Sequence, residues 1–186
     1  MCGFAGFVGK LDEKEQVLTS MMNTIVHRGP DSAGMYCDEE VALGFRRLSI
    51  IDITESGDQP LYNEDKSKVL VFNGEIYNYQ ELRRELIEAG HVFQTNTDSE
   101  TLLHGYEEWG TLLLKRLRGM FAFVIWDCKE KKMFAARDMF GIKPFYYAQM
   151  NGTLLFGSEI KSFVEHPHFD KVFNEKALGN YLSFQF

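Results

Sequence analysis

The sequence is poor in cysteine and in positive charge, and it has no long apolar run. The three cysteines, Cys2, Cys37 and Cys128, form no C-x-x-C pair. This argues against a disulfide framework or a cysteine-rich zinc site and favours a reducing, cytoplasmic location. Twenty Lys and Arg against 27 Asp and Glu give a net charge of −7, which disfavours a nucleic-acid or anionic-membrane surface. The N-terminus lacks the pattern of a signal peptide, and the longest apolar stretch, Met120 to Trp126, is too short to span a membrane.

Patterns for phosphate or metal binding are also missing. Gly141-Ile142-Lys143 lacks the Gly-Lys-Ser/Thr ending of a phosphate-binding loop. None of the histidines has the spacing to carboxylates or cysteines that is typical of a metal site. We therefore expect no metal or cofactor in this chain, and we expect all five histidines to be non-ligands: His27, His91, His104, His166 and His168.

Apolar and aromatic side chains are abundant. Of 186 residues, 45% are hydrophobic and 16 are Phe, which is enough for one domain with a sizeable core. Helical spacing and capping signals predict helices near 13–26, 79–89, 98–106, 159–165 and 175–182. Apolar runs predict strands at 34–37, 41–45, 68–72, 121–126, 133–137, 145–149 and 153–156. The strands group in hairpins and the helices in pairs, which predicts an α+β fold with antiparallel sheets.

Cys2 is the first candidate for chemistry, because it directly follows Met1. Removal of Met1 would leave a thiol and a free α-amine on one residue. The amine titrates near ~7.7–8.0 and can take the proton of a thiol that titrates near ~8.5. The apolar, glycine-rich stretch from Gly3 to Gly9 predicts a strand that fixes the terminus in the core. The alternative is that Cys2 is a small buried hydrophobic residue.

Three further positions have side chains or backbone groups suited to a polar substrate. Asn73-Gly74 follows a predicted buried strand and offers two neutral donors for an oxyanion, although Asn-Gly most often forms a tight turn. The guanidinium of Arg47 can bind a carboxylate with two parallel hydrogen bonds, and the alternative is a structural ion pair. Asp98 can bind an ammonium group, or it can simply stabilise the N-terminus of a helix. These residues alone do not name a substrate.

Taken together, seven motifs occur in an order that resembles the N-terminal glutaminase domain of glutamine-hydrolysing asparagine synthetases, which are class II glutamine amidotransferases. The resemblance covers essentially the whole chain, and seven motifs in order are highly specific. The motifs are Cys2-Gly3-Phe4-Ala5-Gly6, His27-Arg28-Gly29-Pro30-Asp31, Arg47-Leu48-Ser49-Ile50-Ile51-Asp52, Gln59-Pro60-Leu61, Asn73-Gly74-Glu75-Ile76-Tyr77-Asn78, Thr97-Asp98-Ser99-Glu100 and Arg137-Asp138-Met139-Phe140-Gly141-Ile142-Lys143-Pro144.

The resemblance implies an N-terminal-nucleophile hydrolase fold, a four-layer αββα sandwich of two antiparallel sheets. It also implies a reaction. Cys2, with its own α-amine as the base, would attack the side-chain amide of L-glutamine. Asn73 and the N–H of Gly74 would hold the oxyanion, and water would hydrolyse the γ-glutamyl thioester to glutamate.

The resemblance further implies how glutamine is held. Arg47 would bind its α-carboxylate, and Asp98 would bind its α-ammonium. Glu75 and the backbone around Leu48, Ile50 and Ile51 would line the pocket: these four residues complete the predicted substrate-binding set.

In the family, ammonia passes to a second domain that amidates aspartate with ATP and Mg. The S-G-G-x-D-S motif of that domain is missing, so we expect residues 1–186 to be an isolated glutaminase domain whose end, about 175–186, leads toward a C-terminal synthetase domain. The implied partners are L-glutamine, that synthetase domain and a second copy of the chain in a homodimer. ATP and Mg are expected only in the absent domain.

Two alternatives to this function remain open. Related amidotransferases use another acceptor, such as a cell-surface, polysaccharide or antibiotic precursor. A chain that retains Met1 would instead be a non-catalytic domain, because its Cys2 would have no free α-amine.

Overall fold

Two antiparallel sheets organise the protein in a computed structural model that describes residues 2–48 and 57–184. The strands in these residues are β1 Gly3–Val8, β2 Ser32–Cys37, β3 Val41–Arg47, β4 Leu61–Tyr62, β5 Lys68–Ile76, β6 Gly119–Asp127, β7 Lys132–Arg137, β8 Tyr146–Met150 and β9 Thr153–Gly157. The first sheet has the strand order β2-β3-β1-β9-β8, and the second has the order β4-β5-β6-β7.

The α-helices are α1 Lys14–Asn23, α2 Tyr79–Glu88, α3 Asp98–Trp109 and α4 Glu175–Phe184, and short 3₁₀ helices span Val26–Arg28, Gly110–Lys115 and Ile160–Glu165. Helices α1, α2 and α3 lie on the outer faces of the sheets, whereas α4 is exposed along its whole length. Within the described ranges, no helix combines the length and apolar character needed to cross a membrane.

Three separate apolar clusters show how these elements are layered. The cluster between the two sheets includes Phe4, Phe45, Val71, Val124 and Trp126. The cluster between the first sheet and α1 includes Phe7, Leu18, Met21, Ile25 and Leu155. The cluster between the second sheet and helices α2 and α3 includes Leu70, Leu82, Leu102, Phe123 and Ile125. Three buried interfaces require four layers, which confirms the predicted αββα sandwich.

Alternation along β5 produces two of these clusters. Val69 and Val71 face the first sheet, whereas Leu70 and Phe72 face the helices. A strand buried on both faces needs apolar residues at every position, which is why this strand could be predicted from a continuous apolar run. The same alternation directs the side chain of Asn73 into the space between the sheets.

Local turn and cap signals were mostly confirmed. The hairpin between β8 and β9 turns at Asn151 and Gly152, whose φ angles are 50° and 75°, as a two-residue turn of this type requires. The hairpin between β6 and β7 was also predicted. Thr97 caps α3, and its side-chain oxygen accepts a hydrogen bond from the N–H of Glu100.

One local prediction was wrong, one alternative is excluded and one helix is of a special type. The tight turn that was left open as an alternative for Asn73-Gly74 does not form, because β5 continues through both residues to Ile76 and pairs with β6 along its whole length. Asn78 does not cap α2 with its side chain, which instead bonds to the backbone of Arg116 and Arg118. The helix expected at 159–165 is a 3₁₀ helix.

Candidate active site

Cys2 immediately precedes β1, which is the central strand of the first sheet. The register pairs Gly3 with Arg46, which brings Cys2 next to the end of β3. The N–H of Leu48 donates a hydrogen bond to Cys2 Sγ at 3.3 Å, and the carbonyl oxygen of Leu48 lies 3.7 Å from the same sulfur. The thiol is therefore held by the backbone that follows β3, and it packs against the apolar layer between the sheets.

A partly buried ion pair between Arg28 and Glu159 fixes the backbone of Cys2. Arg28 Nε donates to the carbonyl oxygen of Cys2 at 3.0 Å, and Arg28 Nη1 bonds to Glu159 Oε1 at 3.1 Å. A Cβ at Gly3 would lie only 2.8 Å from Arg28 Cδ, so glycine at this position leaves room for the arginine. The sequence motif contained Arg28, but only the structure shows that it touches the candidate nucleophile.

Glu159 holds this arginine as a charged carboxylate. Burial alone would raise the pKa of Glu159, but hydrogen bonds from Arg28, His27 and Lys161 outweigh burial and lower the pKa to about 2. The carboxylate thus remains ionised at neutral pH and keeps the guanidinium oriented toward Cys2.

Asn73 has an unusual side-chain amide. The residue is 3% exposed, and its Nδ2 has no hydrogen-bond partner among the residues that the structure describes. A buried donor without an acceptor costs about 1–3 kcal/mol, so a fold rarely retains one without a reason. The amide faces the same cleft as Cys2, where an acceptor that arrives with a substrate would complete it.

The N–H of Gly74 points toward the open edge of β5. On this edge the side chain of Gln59 bonds to both backbone groups of Phe72, and Asp98 Oδ2 accepts from the N–H of Ile76 at 2.9 Å. Backbone groups alternate in direction along an antiparallel strand, so Gly74, midway between those residues, points the same way. Phe121, which faces Gly74 across the ladder, turns its own backbone groups to Asp138 instead.

Asp98 and Glu75 form an acidic end of the cleft. Burial raises the pKa of Asp98, and the nearby charge of Glu75 raises it further. The backbone N–H groups that donate to Asp98 lower its pKa, but by less, so the pKa is raised overall. The surroundings therefore stabilise the ionised carboxylate less well than water does, and a bound cation would stabilise it. Asp98 is also the first residue of α3, so the helix-terminus interpretation and the binding interpretation apply together.

Arg47 has an acidic partner and also lines the cleft. Its Nη1 lies 2.8 Å from Asp58 Oδ1, which agrees with the structural alternative. The residue is only 8% exposed, and a Cβ at Gly57 would lie 2.4 Å from Arg47 Nη2. The ion pair with Asp58 and the lack of a side chain at Gly57 fix the guanidinium in one orientation.

One cleft of about 810 Å³ brings most of the predicted site residues together. Its lining includes the predicted residues Cys2, Arg47, Leu48, Asn73, Gly74, Glu75 and Asp98. Ile50 and Ile51 lie outside the residues that the structure describes. Sequence reasoning did not assign a role to Gln59 or Lys143, which also line the cleft. Their place in two of the seven motifs was the only available signal.

Comparison with known proteins identifies the family. The family model described as "Glutamine amidotransferase domain" matches residues 1–186. The chain belongs to the glutamine amidotransferase domain family. This match confirms the amidotransferase family that the seven motifs indicated.

Curated relatives of this amidotransferase domain are much longer than the chain. "Asparagine synthetase [glutamine-hydrolyzing] 1" of Bacillus subtilis is 47% identical over 191 residues, which cover 100% of this chain and 30% of the relative. "Asparagine synthetase [glutamine-hydrolyzing]" of Zea mays is 44% identical over 166 residues, which cover 87% of this chain and 28% of the relative. The chain thus spans about 30% of the length of the curated relatives that it matches.

A solved structure agrees with the fold of this amidotransferase domain. Glutamine phosphoribosylpyrophosphate amidotransferase from B. subtilis, complexed with ADP and GMP, superposes with a TM-score of 0.75. The match covers 88% of this chain and 43% of that chain, at 24% sequence identity. At this identity the likeness supports the fold alone, and it agrees with the predicted N-terminal-nucleophile architecture.

Proposed function

We propose that this chain is the glutaminase part of an asparagine synthetase, which releases ammonia from L-glutamine. The observation that carries the proposal is the buried amide of Asn73, which has no hydrogen-bond partner in residues 2–48 and 57–184. It lies beside the outward-facing N–H of Gly74, in the cleft that also contains Cys2. Two neutral donors near a thiol suit an oxyanion that forms only during the reaction.

The reaction begins on a chain from which Met1 has been removed. The free α-amine of Cys2 takes the thiol proton, and the thiolate attacks the side-chain carbonyl carbon of glutamine. The oxyanion accepts hydrogen bonds from Asn73 Nδ2 and from the N–H of Gly74. As the carbon–nitrogen bond breaks, the α-ammonium of Cys2 returns the proton, so that ammonia leaves and a γ-glutamyl thioester remains. Water then hydrolyses the thioester to glutamate and restores the thiol.

Substrate orientation follows from the charges at the two ends of the cleft. Arg47 binds the α-carboxylate of glutamine, and Asp98 binds the α-ammonium with help from the charge of Glu75. Leu48 lines the pocket through the backbone that also bonds to Cys2 Sγ. The under-compensated charge of Asp98 supports this assignment, because a bound ammonium would offset the cost of burying the carboxylate.

The acceptor and the partners are inferred from the names of the relatives. We infer that the ammonia is delivered to a C-terminal synthetase domain that amidates aspartate with ATP and Mg. Two relatives named as glutamine-hydrolysing asparagine synthetases support this inference, because the chain matches only 30% and 28% of their lengths. Residues 1–186 then form the glutaminase domain. The homodimer and the cytoplasmic location stay predictions from the sequence.

The experiment compares glutamate release by wild-type protein, Cys2→Ala and Cys37→Ala, each verified by mass to lack Met1. Cys2→Ala should abolish turnover and keep the fold, because Cys2 is small and only partly buried. Cys37→Ala is the matched control and should retain activity, since Cys37 packs on the far side of the first sheet. Turnover by Cys2→Ala at the wild-type rate would contradict the proposal.

A further inference from the structure

A second polar cluster lies between the end of α2 and the middle of α3, on the outer helical layer. His91 follows directly after the glycine that ends α2, while His104 and Glu107 are one turn apart on α3. His91 Nδ1 and His104 Nδ1 are 3.2 Å apart, and His104 Nδ1 lies 3.0 Å from Glu107 Oε2. One possible ligand atom from each of the three residues lies within 4.8 Å of those of the other two, and His104 is only 2% exposed.

One proton cannot satisfy these three atoms. A carboxylate only accepts, so His104 Nδ1 must carry the hydrogen that faces Glu107. His91 Nδ1 then faces His104 Nδ1, whose single hydrogen is already donated to Glu107. If His91 Nδ1 carried the hydrogen instead, Glu107 would face the lone pair of His104. A single cation among the three atoms accepts a lone pair from each of them and removes the conflict.

The spacing of the three atoms fits a small metal ion. Bonds of about 2.0–2.1 Å in a tetrahedral zinc site place two ligand atoms about 3.4 Å apart. The observed separations of 3.2 Å and 3.0 Å are close to this value, so slight outward movement would admit the ion. Two imidazoles and one carboxylate leave a fourth position for water.

Other side chains contact all three ligands, through hydrogen bonds at His91 and Glu107 and through a longer ion-pair contact at His104. His91 Nε2 lies 3.2 Å from Glu108 Oε2, which directs the Nδ1 lone pair of His91 toward the cluster. His104 Nε2 lies 3.7 Å from Glu100 Oε1. Asn63 Nδ2 donates to Glu107 Oε1 at 2.7 Å and so leaves Oε2 for the ion. Metal-binding histidines usually donate their second ring nitrogen to a carboxylate in this way.

We propose that His91, His104 and Glu107 bind one divalent transition-metal ion of the zinc type. Imidazole nitrogens favour zinc and similar ions over Mg²⁺ or Ca²⁺, which prefer oxygen ligands. The sequence analysis expected no histidine ligand, because His91 and His104 are 13 positions apart and no short-range motif joins them. Only the packing of the α2–α3 hairpin brings them together.

The ion would act on the structure of the cleft, not on its chemistry. It would join the start of the connection between α2 and α3 to the middle of α3. The N–H groups of Gln94 and Thr95, within that connection, donate hydrogen bonds to the carboxylate of Glu100 on α3, each at 2.7 Å. Gln94, Thr95 and Asp98 line the cleft that contains Cys2. Binding of the ion should therefore order this wall of the cleft.

The test uses the full chain after removal of metal with a chelator, titrated with Zn²⁺ against a competing chromophoric chelator. Wild-type protein should bind one ion per chain. His91→Gln is the main variant, because the His91 side chain is 17% exposed and its replacement should disturb the fold less than replacement of His104, whose side chain is 3% exposed. Glu107→Gln is the second variant, since it keeps an oxygen for Asn63. His168→Gln is the matched control, because His168 also lies beside a second histidine.

The expected results separate this site from adventitious binding. His91→Gln and Glu107→Gln should each weaken binding by at least about tenfold to a hundredfold, whereas His168→Gln should bind as wild type does. With Co²⁺ as the probe, the spectrum should lack the intense near-ultraviolet band of thiolate ligation by any of the three cysteines. Hydrogen exchange at residues 91–107 should become slower when the ion is bound.

Three results would overturn the proposal. The first is wild-type protein that binds no stoichiometric ion, which would leave His104 as a protonated imidazole held by carboxylates alone. The second is unchanged affinity in both His91→Gln and Glu107→Gln. The third is a thiolate band in the Co²⁺ spectrum, which would assign the binding to cysteine.

Discussion

Replacement of Asn73 by alanine should separate activity from stability. The variant removes one of two donors to the oxyanion, and loss of such a donor in other enzymes costs about 10²–10³ in kcat, or roughly 2.7–4 kcal/mol. The KM for glutamine should change little, because the amide meets its acceptor only when the oxyanion forms. Glutamate release by processed protein at saturating glutamine measures this loss.

The same variant should not lose stability. Removal of the unpartnered amide relieves a desolvation cost of about 1–3 kcal/mol, and the small space left behind costs on the order of 1 kcal/mol. The free energy of unfolding should therefore stay the same or rise by up to about 2 kcal/mol. Chemical denaturation of both proteins under identical conditions gives this difference.

Asn78→Ala is the control for this pair of measurements. The Asn78 side chain donates to the carbonyl oxygen of Arg116 and accepts from the N–H of Arg118, each at 2.9 Å. Its loss should lower the free energy of unfolding by about 1–2 kcal/mol and leave kcat unchanged. If Asn73→Ala kept kcat within about threefold of wild type, or if it lost as much stability as Asn78→Ala, the oxyanion assignment would be refuted.

Three further predictions concern the rest of the site. The KM for glutamine should rise as the pH falls through the raised pKa of Asp98, because only the ionised carboxylate binds an ammonium group. Asp98→Asn should remove this pH dependence. A KM that does not change with pH in wild-type protein would count against Asp98 as the ammonium-binding residue. Glu159→Gln should lower kcat, because Arg28 and Cys2 would be held less firmly. The pKa of Glu159 is lower in the folded protein than in the unfolded chain, so wild-type protein should lose stability between about pH 4.5 and 2, and the variant should not show this loss. Acid unfolding curves that coincide for the two proteins would contradict this prediction. Gly74→Ala should destabilise the protein by about 1–3 kcal/mol, because the new Cβ would lie 2.3 Å from a backbone oxygen of β6; thermal unfolding at the wild-type temperature would exclude that clash.

The strands, helices and antiparallel sheets could be predicted because they depend on local patterns, whereas the four-layer arrangement was implied by the resemblance to the amidotransferase family. Continuous apolar runs gave the buried strands, and Asn151-Gly152 marked its hairpin through a backbone preference that is independent of the rest of the chain. Thr97 capped its helix for the same reason. Asn73-Gly74 was different: its pairing with β6 overrides the local preference for a turn, and that pairing joins residues about fifty positions apart.

The candidate site could be predicted only in part, for the same physical reason. The motifs contained Cys2, Asn73 and Asp98, but their common cleft depends on how two sheets pack. The contact between Arg28 and Cys2 joins residues 26 positions apart. It depends on the packing of the 3₁₀ helix Val26–Arg28 against the first sheet. The meeting of His91 and His104 depends on helix packing, which no short-range spacing reveals.

The most direct test of the glutaminase assignment is the intact mass of the chain after treatment with diazo-oxo-norleucine, a glutamine analogue with an electrophilic carbon. The sample must first be shown by mass to lack Met1. The glutaminase assignment predicts one adduct per chain, mapped to Cys2 and prevented by excess glutamine. An adduct on Cys37 or Cys128, or no adduct on a folded chain that lacks Met1, would contradict it.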